Sequence, residues 1–381
     1  MIVGVIIGEF VPSVQPAFNT VQFNSVSVPI AIGLIVMMYP VLTKVRYEVL
    51  LGLIFNSLFR RRSSDTTSPA KTNTRKLLIH STLSFFLNWL IAPFVMLALA
   101  WATLPDLPTY RAGLILVGLA RCIAMVLIWN ELAGGDREYC AILVVMNSLL
   151  QIVIYSPMAV FFINIIGHAQ GDEKLRLEYG NVAISVLIYL GIPLGLGLIT
   201  RLLLLSTPRT TRFLNEVYIP LISPITFIGL LYTIIVMFAY QGHHILHNIG
   251  KVFRVMVPLV LYFCIMWSMT FGGVWWIGKH QIKKAEKKGL ERELIEKEKQ
   301  VWSYEMAAVQ AFTAGSNNFE LAIAVAIAVY GVGSDQALAA TIGPLVEVPV
   351  LLALTWVAVW LKRKMWHQDE AEDHASEEEK V

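Results

Sequence analysis

Cys122 is the side chain in this sequence with the clearest capacity to bind a ligand. It sits in the apolar run 112–131 directly after Arg121, with Gly118 one turn earlier and Trp129 seven residues later on nearly the same helical face. A buried cysteine is by default a small hydrophobe. An adjacent arginine inside a membrane-length run alters that default, because its charge favours the thiolate and because ionisable groups at such depth mark functional sites. A thiol is a soft donor, so the ligand it selects is a soft, thiophilic centre. Cys140 and Cys264 lack such a neighbour and read as packing residues. Three cysteines without a CxxC spacing suggest neither a disulfide framework nor a zinc site. His243, His244 and His247 have metal-like spacing but no partner motif, so no resident metal or other cofactor is expected.

A second stretch, AFTAGSNNFE at 311–320, puts Gly315, Ser316, Asn317, Asn318 and Glu320 inside an apolar run from 301 to 330. That run is about 45 Å long as a helix, enough to cross a hydrocarbon layer of ~30 Å. Glycine and asparagine are poor helix formers, so the helix is expected to break there and restart before FELAIAVAIAVY. Asn317 and Glu320 have the spacing of a capping box, which would expose a positive dipole end within the membrane. Broken helices of this kind line cavities and build substrate sites in transporters; the plainer alternative is that Glu320 only caps its own helix. Glu347 lies between Pro344 and Pro349 at a depth where an anion is costly. It reads as a proton carrier alternating between charged and neutral forms, or as a neutral acid bonded to a carbonyl freed by a proline. Asn147 and Gln151 share a helix face at i, i+4 and either line a pathway or bond to neighbouring helices.

These residues need a membrane scaffold to hold them. The 381 residues are 56% hydrophobic and 15% charged, with mean hydropathy +0.63, which excludes a soluble two-domain protein. Spans are expected at about 27–41, 77–103, 112–131, 139–166, 181–205, 216–240, 251–278, 301–330 and 336–361. The opening MIVGVIIGEFVP is too short to cross a bilayer and is expected to be a truncated first span, which makes ten. Most of the 30 lysines and arginines fall in the loops after even-numbered spans and in the tail, which predicts cytoplasmic termini. The linker RRRSSDTTSPAKTNTRK reads as disordered, the insertion 279–300 as a solvated cytoplasmic helix, and the tail 362–381 as acidic and disordered. The expected division is a first repeat at 1–167, an outward loop at 168–180 and a second repeat at 181–361. Laying span four over span nine at an offset of 199 places Gly134 on Gly333, Asp136 on Asp335 and Arg121 on Glu320. Two inverted five-helix repeats are therefore expected, with spans four and nine discontinuous and crossing, and with Arg121 close to Glu320.

The segments MMYPVLTKVRYE, GLARCIAMVLIWNELAGGDREYCAILVVMNSLLQI and AFTAGSNNFELAIAVAIAVYGVGSDQALAATIGPLVEVPVLLAL resemble the arsenite efflux permeases, a branch of the bile acid, arsenite and riboflavin transporter superfamily. The likeness runs from about residue 27 to 361. It implies an all-α polytopic protein that exports arsenite, with antimonite, in exchange for protons. The family's span-four cysteine matches Cys122 and its span-nine acid matches Glu320; its surrounding site residues match Arg121, Trp129, Asn147, Phe312, Ser316, Asn318 and Glu347. It also implies a plasma-membrane location, a lipid bilayer as surroundings and no nucleic-acid partner. A sodium-coupled organic-anion importer of the same fold is the alternative. No nucleophile elbow, phosphate loop or soluble catalytic domain is present, so an enzyme is not expected.

Overall fold

The computed structural model describes residues 2–11, 22–23, 26–45, 47–48, 69–123, 125–167 and 175–366. Apart from a two-stranded antiparallel pair, β1 (Gln22–Phe23) and β2 (Val26–Ser27), these residues build helices. The first half holds α1 (Ile2–Phe10), α2 (Val28–Lys44), α3 (69–103), α4 (Pro108–Leu119), α5 (Met125–Leu132) and α6 (Arg137–Ile166). The second holds α7 (Tyr179–Leu204), α8 (208–247), α9 (Ile249–Lys287), α10 (Arg292–Val301), α11 (Tyr304–Ala314), α12 (Phe319–Tyr330) and α13 (Asp335–Trp366).

Six of these, α3, α6, α7, α8, α9 and α13, contain segments long and apolar enough to cross a membrane. The pairs α4/α5 and α11/α12 are each two halves of one interrupted crossing. Large apolar side chains remain outside the bundle, among them Trp356 at 75% and Leu221 at 68% exposure, as suits a surface that meets lipid instead of water. The expected all-α polytopic membrane fold is the observed one.

Prolines shape the long helices in a regular way. Pro93, Pro193 and Pro220 each stand two positions after a π-helical turn, at Leu87–Ile91, Leu187–Gly191 and Leu214–Tyr218. A proline has no N–H and its ring collides with the carbonyl four residues back. Widening the preceding turn relieves both conflicts without ending the helix.

Three local expectations change. The linker is helical from Pro69 onward, and its earlier part lies outside the described residues. The 279–300 insertion is not one helix: α9 runs to Lys287, the chain reverses at Gly289 with φ +62°, and α10 returns to pair Glu298 with Arg75 of α3. The tail is helical through Lys362–Trp366, and beyond that it lies outside the described residues.

The short first segment forms a nine-residue helix that docks on α8. Gly4 and Gly8, four apart, face Ala239 and Gly242, and a Cβ on Gly8 would stand 2.2 Å from the Ala239 carbonyl oxygen. The helix backbones touch here because no side chain intervenes, the small-residue packing that replaces hydrophobic pressure between helices in lipid. Gly8→Val must push α1 off α8 and should lower the melting temperature of the detergent-solubilised protein by several degrees, the result of overpacking by about 1–3 kcal/mol. An unchanged melting temperature would show that α1 is not part of the packed unit.

Candidate functional site

A helix that stops inside a bilayer leaves carbonyls and amides without partners, and no water is present to satisfy them. The two interrupted crossings solve this for each other. Arg121, in the break between α4 and α5, and Asn317, in the break between α11 and α12, form an isolated antiparallel bridge. The Asn318 amide donates to Ala120 O at 3.1 Å, and Asn317 Nδ2 donates to Val117 O at 2.8 Å and Ala120 O at 3.1 Å. The last carbonyls of α4 are thus satisfied by the asparagines that interrupt the other crossing.

The outer ends are clasped in the same reciprocal manner. Thr109 Oγ1, at the start of α4, donates to Asp335 Oδ2 just beyond α12 at 2.7 Å. Tyr304 OH, at the start of α11, donates to Ala133 O just beyond α5 at 2.7 Å. The two broken crossings therefore run antiparallel, each beginning where the other ends. Near the Thr109 end, Arg254 beside Asp106 holds that exposed carboxyl down at about 2, so the pair stays ionised well below neutral pH.

Arg121 is fully buried, and its position corrects an expectation. Its Nη1 donates to Tyr262 OH of α9 at 3.1 Å, its Nη2 donates to Gly118 O, and its backbone amide donates to Gln151 Oε1 of α6 at 3.0 Å. The Tyr262 hydroxyl reaches Ala314 O at 3.5 Å. The guanidinium thus stands at the negative ends of both α4 and α11, where a cation is favoured. Among the described residues it forms no ion pair with Glu320, because the bridge sets Asn317 opposite Arg121 and leaves Glu320 almost a turn further along α12. The same shift alters the expected cap: Asn318, not Asn317, caps α12 by accepting from the Leu321 amide at 3.1 Å.

The other expected site residues distribute around this crossing. Cys122 is 3% exposed, outside any disulfide, and lies just ahead of the first turn of α5. Asn147 Oδ1 accepts from Trp89 Nε1 at 3.2 Å. The Phe312 ring packs on Trp267 with centroids 5.8 Å apart, and Ser316 Oγ is turned back to Phe312 O at 2.6 Å. Glu320 is half-buried in the first turn of α12; Glu347 is buried within reach of the Asn317 amide and in the electrostatic range of Glu320. Trp129 is buried on α5. Cys140 is fully buried with its thiol 4.0 Å from Val126 O, the packing role expected for it. No cluster of His, Cys, Asp or Glu among the described residues could hold a metal, and the side chains of His243 and His244 are not among them.

Tyr262, Trp267 and Trp89 escaped the sequence reading. Each lies in an apolar helix, and no spacing ties it to a partner on a helix distant in sequence. What the crossing and the helices against it offer chemically is a soft thiol and a set of buried polar atoms that have no partner among the described residues: Asn147 Nδ2, Gln151 Nε2, Asn318 Nδ2 and Glu347 Oε1. That set suits a small neutral molecule with a thiophilic centre and hydroxyl groups.

Residues 31–248 match the Sodium Bile acid symporter family. The chain is 36% identical over 371 residues to Arsenical-resistance protein Acr3 of Corynebacterium glutamicum, covering 97% of this chain and 88% of that one. The chain belongs to the arsenical-resistance branch of this family. A second Arsenical-resistance protein Acr3, from Alkaliphilus metalliredigens, is 27% identical over 384 residues, covering 98% of this chain and 92% of its own. An uncharacterized transporter of Synechocystis sp. is 29% identical over 385 residues, covering 96% and 86%. These matches run over nearly the whole chain and so include both interrupted crossings.

Removing the side chain that ties the two breaks together should be costly. Asn317→Ala removes the two side-chain bonds that tie the breaks and leaves Val117 O and Ala120 O with one backbone donor each, a loss of about 0.5–1.5 kcal/mol per hydrogen bond. The expected outcome is a melting temperature lowered by several degrees in detergent, and a variant as stable as the parent would mean that other contacts hold the crossing.

Proposed function

We propose that this protein exports trivalent arsenite, and antimonite, from the cytoplasm in exchange for protons by alternating access, and so confers arsenic resistance. The observation that carries the reading is Cys122, a buried thiol at the head of α5 beside two interlocked helix breaks. Membership of the arsenical-resistance branch supports it. Arsenite at neutral pH is predominantly an uncharged trihydroxide. Its arsenic bonds to the Cys122 sulfur in place of one hydroxyl, which leaves as water with the thiol proton, and the two remaining hydroxyls exchange hydrogen bonds with Asn318, Asn147 and Ser316, whose own hydroxyl must rotate away from Phe312 O. Trp129 and Phe312 wall the site, and Arg121 holds the break in shape through Gly118 and Tyr262. One thiol suits a transporter, because binding has to remain weak enough for release.

Glu347 and Glu320 carry the coupled proton in this reading. Glu320 sits at the positive end of α12 and Glu347 inside the unbroken α13 packed against it, and adding a proton to the pair changes which arrangement of the surrounding helices is favoured. Residues 1–167 and 181–361 act as the two repeats, rocking about the crossing, with 168–180 as the outward loop. Basic residues gather at the end that holds Lys76, Arg201 and Lys362, so that face and both termini are cytoplasmic in a plasma-membrane protein.

The family description favours one other reading, a sodium-coupled organic-anion importer. Everted vesicles separate the two. Arsenite uptake should rise with an inside-acidic proton gradient, ignore sodium, and fall below about a tenth in Cys122→Ala, a loss of more than ~1.4 kcal/mol. Glu347→Gln should abolish the response to the gradient. Uptake that follows sodium and survives Cys122→Ala would move the protein to the importer reading.

A further inference from the structure

Gln151 has two ends with different fates. The residue is fully buried on α6, and its Oε1 accepts the Arg121 backbone N–H at 3.0 Å. That N–H lies in the interruption between α4 and α5 and has lost the helical carbonyl it would otherwise use. The bond fixes which way the carboxamide points, since an N–H can only be accepted by the oxygen. Nε2 is therefore committed to the opposite side, and it has no hydrogen-bond partner among the described residues.

Asn147, one turn earlier on the same face, repeats the arrangement. Its Oδ1 is taken by the Trp89 indole at 3.2 Å, and its Nδ2 is unpartnered. Two neighbouring carboxamides thus have their oxygens tied and their NH2 groups unused, beside the residue that precedes Cys122. A buried donor without an acceptor destabilises the fold that holds it. Paired in this way, and oriented by separate elements, the two donors make sense as waiting for acceptor oxygens that the protein itself does not supply.

We propose that Gln151 is a substrate-binding residue: its Nε2 donates to a hydroxyl oxygen of the trivalent oxyacid held at Cys122, while its Oε1 keeps the Arg121–Cys122 segment extended. The inference rests on the export reading above and adds to it a specificity element. A donor pair one helical turn apart selects a centre bearing at least two hydroxyls over a thiophilic ion that has none.

Gln151→Met removes donor and acceptor at similar volume, and Gln151→Glu keeps the acceptor but donates only when protonated. Arsenite KM and maximal rate are measured in everted vesicles, each as a ratio to the parent protein between about pH 5 and pH 9, a window within which a buried glutamate titrates. Melting temperatures of the purified variants report folding. Expected for Gln151→Met is a KM raised about tenfold with the maximal rate largely kept. For Gln151→Glu the KM ratio should be near one at the acid end and rise about tenfold toward the alkaline end. A Gln151→Glu ratio near one throughout would leave Gln151 with only its backbone role and overturn the proposal. If that variant does not fold, Gln151→Met decides, and a parent-like KM there overturns it equally. Parent vesicles that accumulate no arsenite would instead sink the export reading, an outcome distinct from any change of ratio.

Discussion

The structure depends on one constraint: backbone groups freed by an interrupted helix inside a bilayer must be satisfied by protein. Here the two interruptions satisfy each other through the Arg121–Asn317 bridge, the Asn318 amide on Ala120 O and the Asn317 side chain on two α4 carbonyls. Once that exchange is made, the antiparallel course of the two crossings follows, as do the reciprocal clasps Thr109–Asp335 and Tyr304–Ala133 at their outer ends. Arg121 then serves as a counter-charge to two converging helix ends, held through Gly118 and the Tyr262 hydroxyl.

Much of this was legible in the residues. Asn317, Asn318 and Gly315 in a membrane-length run announced the break, because each is costly there unless it does something. The long apolar runs announced the crossings, and Pro344 and Pro349 did not disrupt α13, whose helix runs through both. What the sequence did not carry was register. Aligning two spans by an offset of 199 matched Asp136 with Asp335, but an antiparallel bridge of single residues is set by which carbonyls an asparagine can reach. That choice moved Arg121 away from Glu320 and onto Tyr262. Contacts between distant helices, such as Trp89 with Asn147, leave no local pattern to read.

The arrangement separates two tasks that transport has to combine. In the proposed export reading, Cys122 with the carboxamides of Asn147, Gln151 and Asn318 takes the thiophilic hydroxylated centre, and Glu320 and Glu347 take the coupled proton. Asn317 touches both, since its side chain ties α4 while its backbone amide approaches the Glu347 carboxyl. A change of charge at Glu347 is thereby felt where the two breaks meet, only a few residues from the thiol. The glycine contacts of α1 on α8 and the π-helical turns before Pro93, Pro193 and Pro220 serve the frame around this centre.

The central claim is that arsenic is held by the Cys122 sulfur at the crossing, and arsenic-edge X-ray absorption of the purified protein loaded with arsenite addresses it directly. The expected spectrum has one sulfur and two oxygens around arsenic in the parent protein, and only oxygens, or no bound arsenic, in Cys122→Ser. An oxygen-only shell in the parent, or a sulfur neighbour that survives in Cys122→Ser, would contradict it.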